Sequence, residues 1–397
     1  MTTKNLRRQA LQRCGALAAL ATVGTLGALA TFNPPLARAA TPAAPPKAAE
    51  LVYVGMQERQ IRALAFDAAT GTLTSLGTVA EGLRSTWTLA HPTLPVLYAV
   101  DDDNTREGSV TAFAVSRETG ALTRINEVAS GGSGTTYLSM DVPSMTLLVA
   151  NFGGGSSSSI AVQRDGSLGA RVSTIRETGS GPHRRQTSAH AHGIVVDPTG
   201  RYALVSDLGA DRVFVYSFDR TTREMSRDDA ANPAPFVATP GSGPRHIAFG
   251  PDGRVAYLLN ELTAEIVVLR WDPAHGSLTA VQTQPISSSA FVGVKSGAEL
   301  TVSRDGRFVY VADRGENTLL VYRIAPGTGT LSLVQRVPSG GERPWYFALH
   351  ESGKWMLVAN QRGGRVNVFA IDPASGRLAD TGHAVDIPSP VSLTFVK

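Results

Sequence analysis

Cysteine is almost absent from this sequence: Cys14 is the only one in 397 residues. It lies in an N-terminal segment that we expect to be removed. Arg13 precedes it and an apolar run follows it, which is not the order found around a lipid-anchored cysteine. The mature chain is therefore predicted to have no disulfide, no thiolate nucleophile and no cysteine metal ligand.

Acidic residues are missing from residues 1–39, which carry five cations: Lys4, Arg7, Arg8, Arg13 and Arg38. The uncharged run Gly15–Phe32 and a small-x-small cleavage pattern at Ala37–Ala39 complete the layout of a signal peptide. The pair Arg7–Arg8 ahead of a weakly apolar run favours twin-arginine export, and hence a periplasmic or secreted protein. An uncleaved membrane anchor is the alternative, since this run is close to the minimum membrane span.

Positive charge is also scarce outside this leader. Its five cations exceed the formal net charge of +4, so the rest of the chain carries a net charge of −1. Charge therefore gives no reason to expect a nucleic-acid partner, or a membrane partner after leader cleavage. Residues 40–50, ATPAAPPKAAE, are interpreted as a Pro/Ala linker, and residues 51–397 as the folded domain.

Two common catalytic signatures are missing as well. The run Gly153–Ser159, GGGSSSS, has no P-loop lysine, so it predicts a turn and not a phosphate cradle. No Gly-x-Ser-x-Gly occurs anywhere in the chain, which excludes the usual serine-esterase arrangement.

The sequence does contain a repeat. Apolar runs end on Asp or Asn at intervals of 47 to 56 residues, at positions Asp101, Asn151, Asp207, Asn260, Asp313 and Asn360. Each unit has up to four short runs rich in Val, Ile, Leu, Tyr and Phe, separated by turn residues, as β-strands require. A period of this length with several strands per unit indicates a repeat architecture.

A hairpin pattern of the type DPASGRL recurs between the third and fourth runs of the units, where glycine supplies the positive φ of a tight turn. The copies are Asp67–Leu73, Arg117–Leu122, Asp272–Leu278, Ala325–Leu331 and Asp372–Leu378, with altered copies at Asp165–Leu168 and Thr221–Met225. Because no long helical periodicity interrupts these seven units, the fold class is predicted to be all-β, a single seven-bladed β-propeller.

The two ends of this region each supply part of one blade. Ser392–Val396 has the pattern of an innermost strand without its successor, and Leu51–Gly55 that of a second strand without its predecessor. We expect these N- and C-terminal strands to pair and close the ring.

The start of each innermost strand faces the central channel of a propeller at one end. Aligning the units places Thr86, Thr136, His192, Arg245, Ala298 and Trp345 at one position. The next position holds Trp87, Tyr137, Gly193, His246, Glu299 and Tyr346. Residues that vary between cationic, aromatic, acidic and small types predict a binding surface at the channel mouth. The alternative to a binding surface is that these residues vary only because positions next to loops are variable in general.

Histidine and arginine supply the candidate chemistry. His190 and His192 lie at i and i+2 of one strand, which favours a general base with a packing partner. A shared metal, or two ordinary strand histidines, are the alternatives. Arginines near the same end of several units suit carboxylate or phosphate recognition. They are Arg184, Arg185, Arg245, Arg314 and Arg343. Arg314 could equally form a surface ion pair with its neighbours, and Glu261 is a carboxylate beyond the usual turn residue Asn260.

Several long motifs resemble the lactonase family of seven-bladed propellers, which includes 6-phosphogluconolactonases and carboxymuconate-lactonising enzymes. The resemblance covers residues 51–397. It is carried by HAHGIVVDPTGRYALVSD, GSGPRHIAFGPDGRVAYLLNEL, GAELTVSRDGRFVYVADRGEN and LLVANFGGGS. It implies a His, two Arg and a Glu at the channel mouth, here His192, Arg245, Arg314 and Glu261.

One departure concerns the third unit, where the family often has histidine and this chain has Tyr137. The resemblance implies a lactonase with a small-molecule lactone as its partner, and we expect no cofactor and no metal. We expect His192 or Glu261 to activate water, and Arg245 or Arg314 to face the oxyanion. Substrate contacts are expected from His190, His246, Arg185, Tyr137, Glu299, Arg343 and Tyr346.

Because of the leader, we expect an exported monomer acting on a sugar-type or carboxylated lactone without phosphate. A carboxymuconate-type lactonising enzyme and an exported propeller that only binds a partner are the alternatives.

Overall fold

The structure, a computed structural model, describes residues 49–227 and 233–396. Within these ranges the chain forms no helix, and therefore none that could cross a membrane. Twenty-nine β-strands form seven antiparallel sheets in the same ranges. The all-β prediction is confirmed. The predicted leader, and the predicted linker up to residue 48, lie outside the described residues. The first strand begins at Glu50, one residue before the predicted start of the domain.

The seven sheets are the blades, numbered here in chain order. Blade 1 contains β1 (Glu50–Met56), β2 (Gln60–Asp67) and β3 (Thr72–Glu81). Blade 2 contains β4 (Thr88–Ala90), β5 (Val96–Asp101), β6 (Glu107–Val115) and β7 (Leu122–Ser133). Blade 3 contains β8 (Thr135–Asp141), β9 (Thr146–Asn151), β10 (Ser156–Val162) and β11 (Leu168–Arg176). Blade 4 contains β12 (Ala191–Val196), β13 (Tyr202–Asp207), β14 (Arg212–Asp219), β15 (Glu224–Ser226) and the short β16 (Phe236–Val237).

The remaining blades are regular. Blade 5 contains β17 (Pro244–Phe249), β18 (Val255–Asn260), β19 (Glu265–Asp272) and β20 (Ser277–Pro285). Blade 6 contains β21 (Gly297–Val302), β22 (Phe308–Asp313), β23 (Thr318–Ile324) and β24 (Leu331–Pro338). Blade 7 contains β25 (Pro344–Leu349), β26 (Trp355–Asn360), β27 (Arg365–Ile371) and β28 (Leu378–Asp386). The last strand, β29 (Pro390–Val396), belongs to blade 1.

Pairing of the terminal strands closes the ring. Leu51 of β1 faces Val396 of β29, and Gly55 faces Ser392, in antiparallel register. The innermost strands contact one another in the order β29, β4, β8, β12, β17, β21 and β25, and β25 contacts β29 again. The predicted seven-bladed propeller and its closure are therefore confirmed.

The core lies between neighbouring blades. Second strands such as β5, β18 and β22 are buried along their whole length, because each face of a blade packs on the next blade. This explains why these strands appear in the sequence as continuous apolar runs and not as alternating patterns.

Tyrosines of the second strands connect consecutive blades through hydrogen bonds. The hydroxyl of Tyr53 donates to the carbonyl of Gly120 at 2.9 Å, and that of Tyr257 donates to Gly329 at 3.0 Å. Tyr98 and Tyr310 make the same bond to the hairpin glycine of the following blade. Each glycine has positive φ, so its carbonyl is turned toward the preceding blade by a conformation that glycine adopts without strain.

A β-bulge recurs where the innermost strands begin. In blade 4, Ala191 pairs with Asp207 and Gly193 pairs with Ser206, which leaves His192 as the extra residue. The same shift leaves out Thr136, Arg245 and Trp345 in blades 3, 5 and 7, and both Ala298 and Glu299 in blade 6. Bulges redirect side chains and are common beside functional sites. Five of the six residues at the first aligned position are thus bulged, and Thr86 is the exception, because it precedes β4, which pairs with β5 without a bulge.

Candidate active site

Two sets of equivalent positions meet at one end of the channel. The first set consists of the bulged residues at the start of the innermost strands of blades 3 to 7. The second set directly follows each second strand and consists of Gln57, Asp102, Phe152, Leu208, Glu261, Arg314 and Gln361. Because an innermost strand starts where its antiparallel second strand ends, the two sets lie at the same edge of the ring.

Members of both sets line a cavity of about 300 Å³. His192, Thr136 and Trp345 come from the bulges. The residues that directly follow second strands are Gln57, Asp102, Phe152, Glu261 and Arg314, and the rest of the lining is Arg84, Thr86, Asn104, Arg185 and Arg343. The wall residues that the sequence did not predict are Gln57, Arg84, Asp102, Asn104 and Phe152. Asp102 and Phe152 could have been found, because they occupy the position that Glu261 and Arg314 occupy in their own units.

Glu261 is the centre of a buried ionic cluster. Its Oε1 accepts from Arg185 Nη1 at 2.5 Å and lies 2.8 Å from Arg314 Nη2, and its Oε2 accepts from Arg245 Nε at 3.0 Å. The Glu261 side chain is only 2% exposed. Burial alone would raise the pKa of Glu261, but Arg314, Arg245 and Arg185 together hold this pKa well below its ordinary range.

Arg245 and Arg314 occupy different levels of the site. Arg245 is buried beneath the wall, where its Nη1 donates to the carbonyl of Ala298 and lies 3.1 Å from His246 Nδ1. Burial and the neighbouring Arg314 lower the pKa of Arg245 to about 10, so it stays cationic at neutral pH. Arg314 lies on the wall, bonded to Ser296 and stacked 4.2 Å from the Trp345 ring centroid. It pairs with Glu261 across blades and not with its sequence neighbours.

His192 has a neutral imidazole ring that does not readily take up a proton. Its Nε2 lies 3.7 Å from Glu261 Oε2, and its Nδ1 is buried without a hydrogen-bond partner. Burial, Arg245 and His246 lower the pKa of His192 well below its ordinary value. The tautomer with hydrogen on Nε2 is favoured, because the alternative would direct the Nε2 lone pair at a carboxylate.

His190 does not share the orientation of His192. It precedes β12, stacks on the Phe152 ring at 4.5 Å, and contacts the Phe152 carbonyl through Nδ1 at 2.8 Å. The bulge at His192 breaks the strand alternation that would place two histidines on one face. Among residues 49–227 and 233–396, no group of three or more His, Cys, Asp or Glu side chains could hold a metal ion.

Four of the predicted substrate contacts lie beneath the cavity and not on its wall. His246 Nδ1 lies 3.1 Å from Glu299 Oε1, and burial raises the pKa of Glu299 to about 8. Tyr137 packs on His246 at 4.8 Å between ring centroids, and Trp87 connects it to Tyr346. These residues form a supporting layer that fixes Arg245 and His192 from below.

A second, basic cavity of about 640 Å³ adjoins the first and shares Arg185, Arg314 and Arg343 with it. Its other cations are Arg184, Lys295 and Arg362. Arg343, at the junction, has φ of 57° and a buried Nε without a partner. Burial and the neighbouring arginines lower the pKa of Arg343, as expected where like charges gather. This groove is suited to an anionic group.

Another cavity, of about 670 Å³, lies at the opposite end of the ring beside His350. There His350 contacts Ser352 Oγ at 2.7 Å and Glu50 at 3.0 Å. This resembles a catalytic triad, but the same turn in blade 4 has Thr199 bonded to Asp197. The Ser352–His350 contact is therefore the turn-capping interaction of the repeat, so we place the site at the arginine-lined end.

The fold is matched by known proteins. The chain matches the family described as "Lactonase, 7-bladed beta-propeller" over residues 51–395. It therefore belongs to the lactonase family of seven-bladed β-propellers.

It is 32% identical over 302 residues to the 6-phosphogluconolactonase of Bacillus subtilis, which covers 76% of this chain and 84% of that protein. It is 28% identical over 320 residues to a 6-phosphogluconolactonase of Formosa agariphila, which covers 79% of this chain and 88% of that protein. The solved structure of a periplasmic gluconolactonase from Pseudomonas aeruginosa is 32% identical, with a TM-score of 0.81 over 88% of this chain and 99% of that one.

Proposed function

We propose that the protein is a carboxylic ester hydrolase that opens a sugar-type or carboxylated lactone without a phosphate group. The observation that carries this proposal is the arginine cluster held by Glu261 at a cavity of about 300 Å³. A lactone carbonyl becomes an oxyanion when water adds to it. Fixed cationic donors in a largely buried site stabilise that charge far better than water does.

Within this proposal His192, Arg245, Glu261 and Arg314 form the catalytic group. Arg314 lies on the wall and meets the oxyanion directly. Arg245 acts from the layer below by fixing Glu261 and the carbonyl of Ala298. His192 lies at the same wall with its Nε2–H directed at Glu261. Glu261 holds the guanidinium groups of three arginines close together. It does not itself accept a proton in the reaction.

The adjoining basic groove supports a substrate with a negative charge beyond the ring. Arg185 and Arg343, together with Arg184 and Lys295, would bind a carboxylate there through charged hydrogen bonds. His246, Tyr137, Glu299 and Tyr346 contribute by supporting Arg245 and His192 from below, and His190 by packing on Phe152 of the wall. We assign no metal or cofactor to the reaction, and expect turnover to be unchanged by a chelator.

The predicted cellular compartment of the protein favours a carboxylated substrate over a phosphate ester. The leader of residues 1–39 predicts export, and a similar protein at 32% identity is a periplasmic gluconolactonase. A charged phosphate ester does not cross a bilayer core unaided. A phosphorylated lactone made in the cytosol would then be scarce where this protein works. We therefore propose that the monomeric enzyme acts in the periplasm or outside the cell.

The decisive test compares kcat/KM for gluconolactone and 6-phosphogluconolactone after subtraction of spontaneous hydrolysis. We expect gluconolactone, or a uronic-acid lactone, to be preferred. A large preference for the phosphorylated lactone, or recovery of the mature protein from the cytosolic fraction, would refute this substrate assignment.

A carboxymuconate-type lactonising activity is the second candidate, because the same arginines suit the carboxylates of a diene diacid. Such diacids belong in the same assay panel. Turnover of the diene with no lactone hydrolysis would favour it. No turnover of any panel member, together with unchanged partner binding in an Arg314→Ala variant, would favour the non-enzymatic propeller.

A further inference from the structure

The cavity wall offers three side chains that could accept a proton from water: Glu261, His192 and Asp102. Lactone hydrolysis needs such a base, because neutral water is a poor nucleophile. The surroundings of each decide which one can act.

Glu261 and His192 are both unsuited to the task. Three guanidinium groups occupy the oxygens of Glu261 and strongly favour its ionised form, so it has little tendency to take up a proton. In the favoured tautomer, His192 directs Nε2–H at Glu261, and its remaining lone pair belongs to the buried Nδ1. Arg245 and His246 further oppose a positive charge on this ring.

Asp102 lies in a different environment. It follows β5 as Glu261 follows β18, and the two residues are three blades apart in a ring of seven, on opposite sides of the channel. Its Oδ2 accepts from Thr86 Oγ1 at 3.1 Å, the one side-chain bond that the structure gives it.

The charged groups facing Asp102 are Arg84, Asp101 and Asp103. Burial raises the pKa of Asp102, Arg84 and the Thr86 bond lower it, and Asp101 and Asp103 raise it again, with a net increase. Asp102 is thus a half-buried carboxylate more basic than an ordinary one, facing the arginine wall across the cavity.

We propose that Asp102 is the general base of the hydrolysis, an inference that rests on the proposed lactonase function. Asp102 takes a proton from water as the water oxygen bonds to the lactone carbonyl carbon, whose oxygen becomes the oxyanion beside Arg314. When the bond from that carbon to the ring oxygen breaks, Asp102 returns the proton to the ring oxygen. Water and lactone give the hydroxy acid, and Asp102 is regenerated.

The first test is Asp102→Asn, with the adjacent Asp103→Asn as matched control. We expect Asp102→Asn to lower kcat for gluconolactone about 10²–10⁴-fold with KM changed only a few-fold. The wild-type rate should fall as pH drops through the pKa of Asp102, and this acidic limb should vanish in the variant. Asp103→Asn, whose carboxylate pairs with Arg106, should retain the rate and keep an acidic limb, which should move slightly to lower pH because Asp103 raises the pKa of Asp102.

Two further variants separate a base from a structural residue. Sodium formate should restore turnover of Asp102→Ala in a saturable manner, since it supplies the missing carboxylate. Thr86→Val removes a hydrogen bond to the ionised form, so its acidic limb should move to higher pH.

The inference is overturned if Asp102→Asn stays within threefold of wild type, or if its acidic limb persists and formate restores nothing. Absence of lactone turnover in the wild type would instead contradict the proposed function itself.

Discussion

Glu261 is the residue on which the site depends. A buried carboxylate with three guanidinium partners combines a large desolvation cost with strong ionic attraction, so its net stabilisation is modest. Removing one partner is different, because the remaining charges stay buried without compensation. The cluster therefore fixes the geometry of the arginines more than it stabilises the fold.

Arg245→Ala should test this arrangement. We expect kcat/KM to fall about 10²–10³-fold, or about 2–4 kcal/mol of transition-state stabilisation, because Glu261 and the Ala298 carbonyl lose their common donor. The matched control is Arg254→Ala, an exposed arginine at the other end of the same blade. Near-normal turnover of a folded Arg245→Ala would show that Arg245 does not position the electrophile.

Glu177 gives a pH prediction for stability. It is buried, accepts from Ser157 Oγ at 2.7 Å, and has a second oxygen without a partner. Burial, with a smaller effect of Asp207, raises its pKa from 4.5 to about 8. Between these values the native state keeps a proton that the unfolded state releases. Stability is therefore lost as pH rises through this window, by at most about 1.4 kcal/mol per pH unit.

Urea denaturation of the wild type and Glu177→Gln at pH 5 and pH 8 measures this effect. We expect the variant to gain stability relative to wild type at pH 8, because an amide pays no ionisation penalty. The exposed Glu118→Gln should show no such gain. A difference between wild type and Glu177→Gln that is independent of pH would contradict the raised pKa.

The sequence predicts which residues form the ionic cluster, but not how deeply each side chain is buried. Glu261 was distinguished because it adds a carboxylate after the usual turn residue, and the same comparison would have found Asp102. Turn residues such as Asp313, which accepts from Gly315 and Glu316, behave as the pattern indicated. The burial of Tyr137 and Glu299 could not be predicted, because it depends on how a bulge turns consecutive side chains.

At the scale of the secondary-structure element, the bulges of the innermost strands position side chains of the candidate active site. Strand number, hairpin turns and closure follow from the repeat, since apolar runs and glycine turns are local properties. A bulge depends on cross-strand register, which local composition does not specify. The equivalent positions could be aligned from sequence, but their shared geometry could not.

Gly193 shows how closely two bulged strands approach. A Cβ at this position would lie 2.8 Å from the backbone carbonyl of Arg245. We expect Gly193→Ala to separate β12 from β17, lower kcat/KM about 10²-fold and cost about 1–3 kcal/mol in stability. Gly250→Ala, whose nearest contact would be 3.3 Å at the far end of blade 5, is the control. Equal effects of the two changes would argue against a role for bulge spacing.

At the scale of the whole molecule, stability rests on the closed ring. β1 has hydrogen-bonding neighbours on both sides only because β29 returns to it. Without β29, blade 1 would present an open strand edge to solvent, and such edges promote aggregation.

Truncation after Ile387 tests the closure. We expect the shortened chain to aggregate or to lose cooperative unfolding, because it lacks the innermost strand of one blade. A synthetic peptide of residues 388–397 should restore soluble, cooperatively folding protein by adding the strand in trans. A truncated protein that unfolds like the full chain, with no response to the peptide, would show that closure contributes little.

The same pairing sets an order of events during biosynthesis. Some 340 residues separate β1 from β29 in the chain, so a ribosome working at roughly 5–20 residues per second delivers the partner about 17–70 s after β1 is made. Blades 2 to 7 are each encoded in one continuous segment and can form as they emerge, whereas the first strands must wait for the last. The ring therefore cannot close until β29 has been made, and a product of premature termination keeps an open edge that proteases and chaperones can recognise.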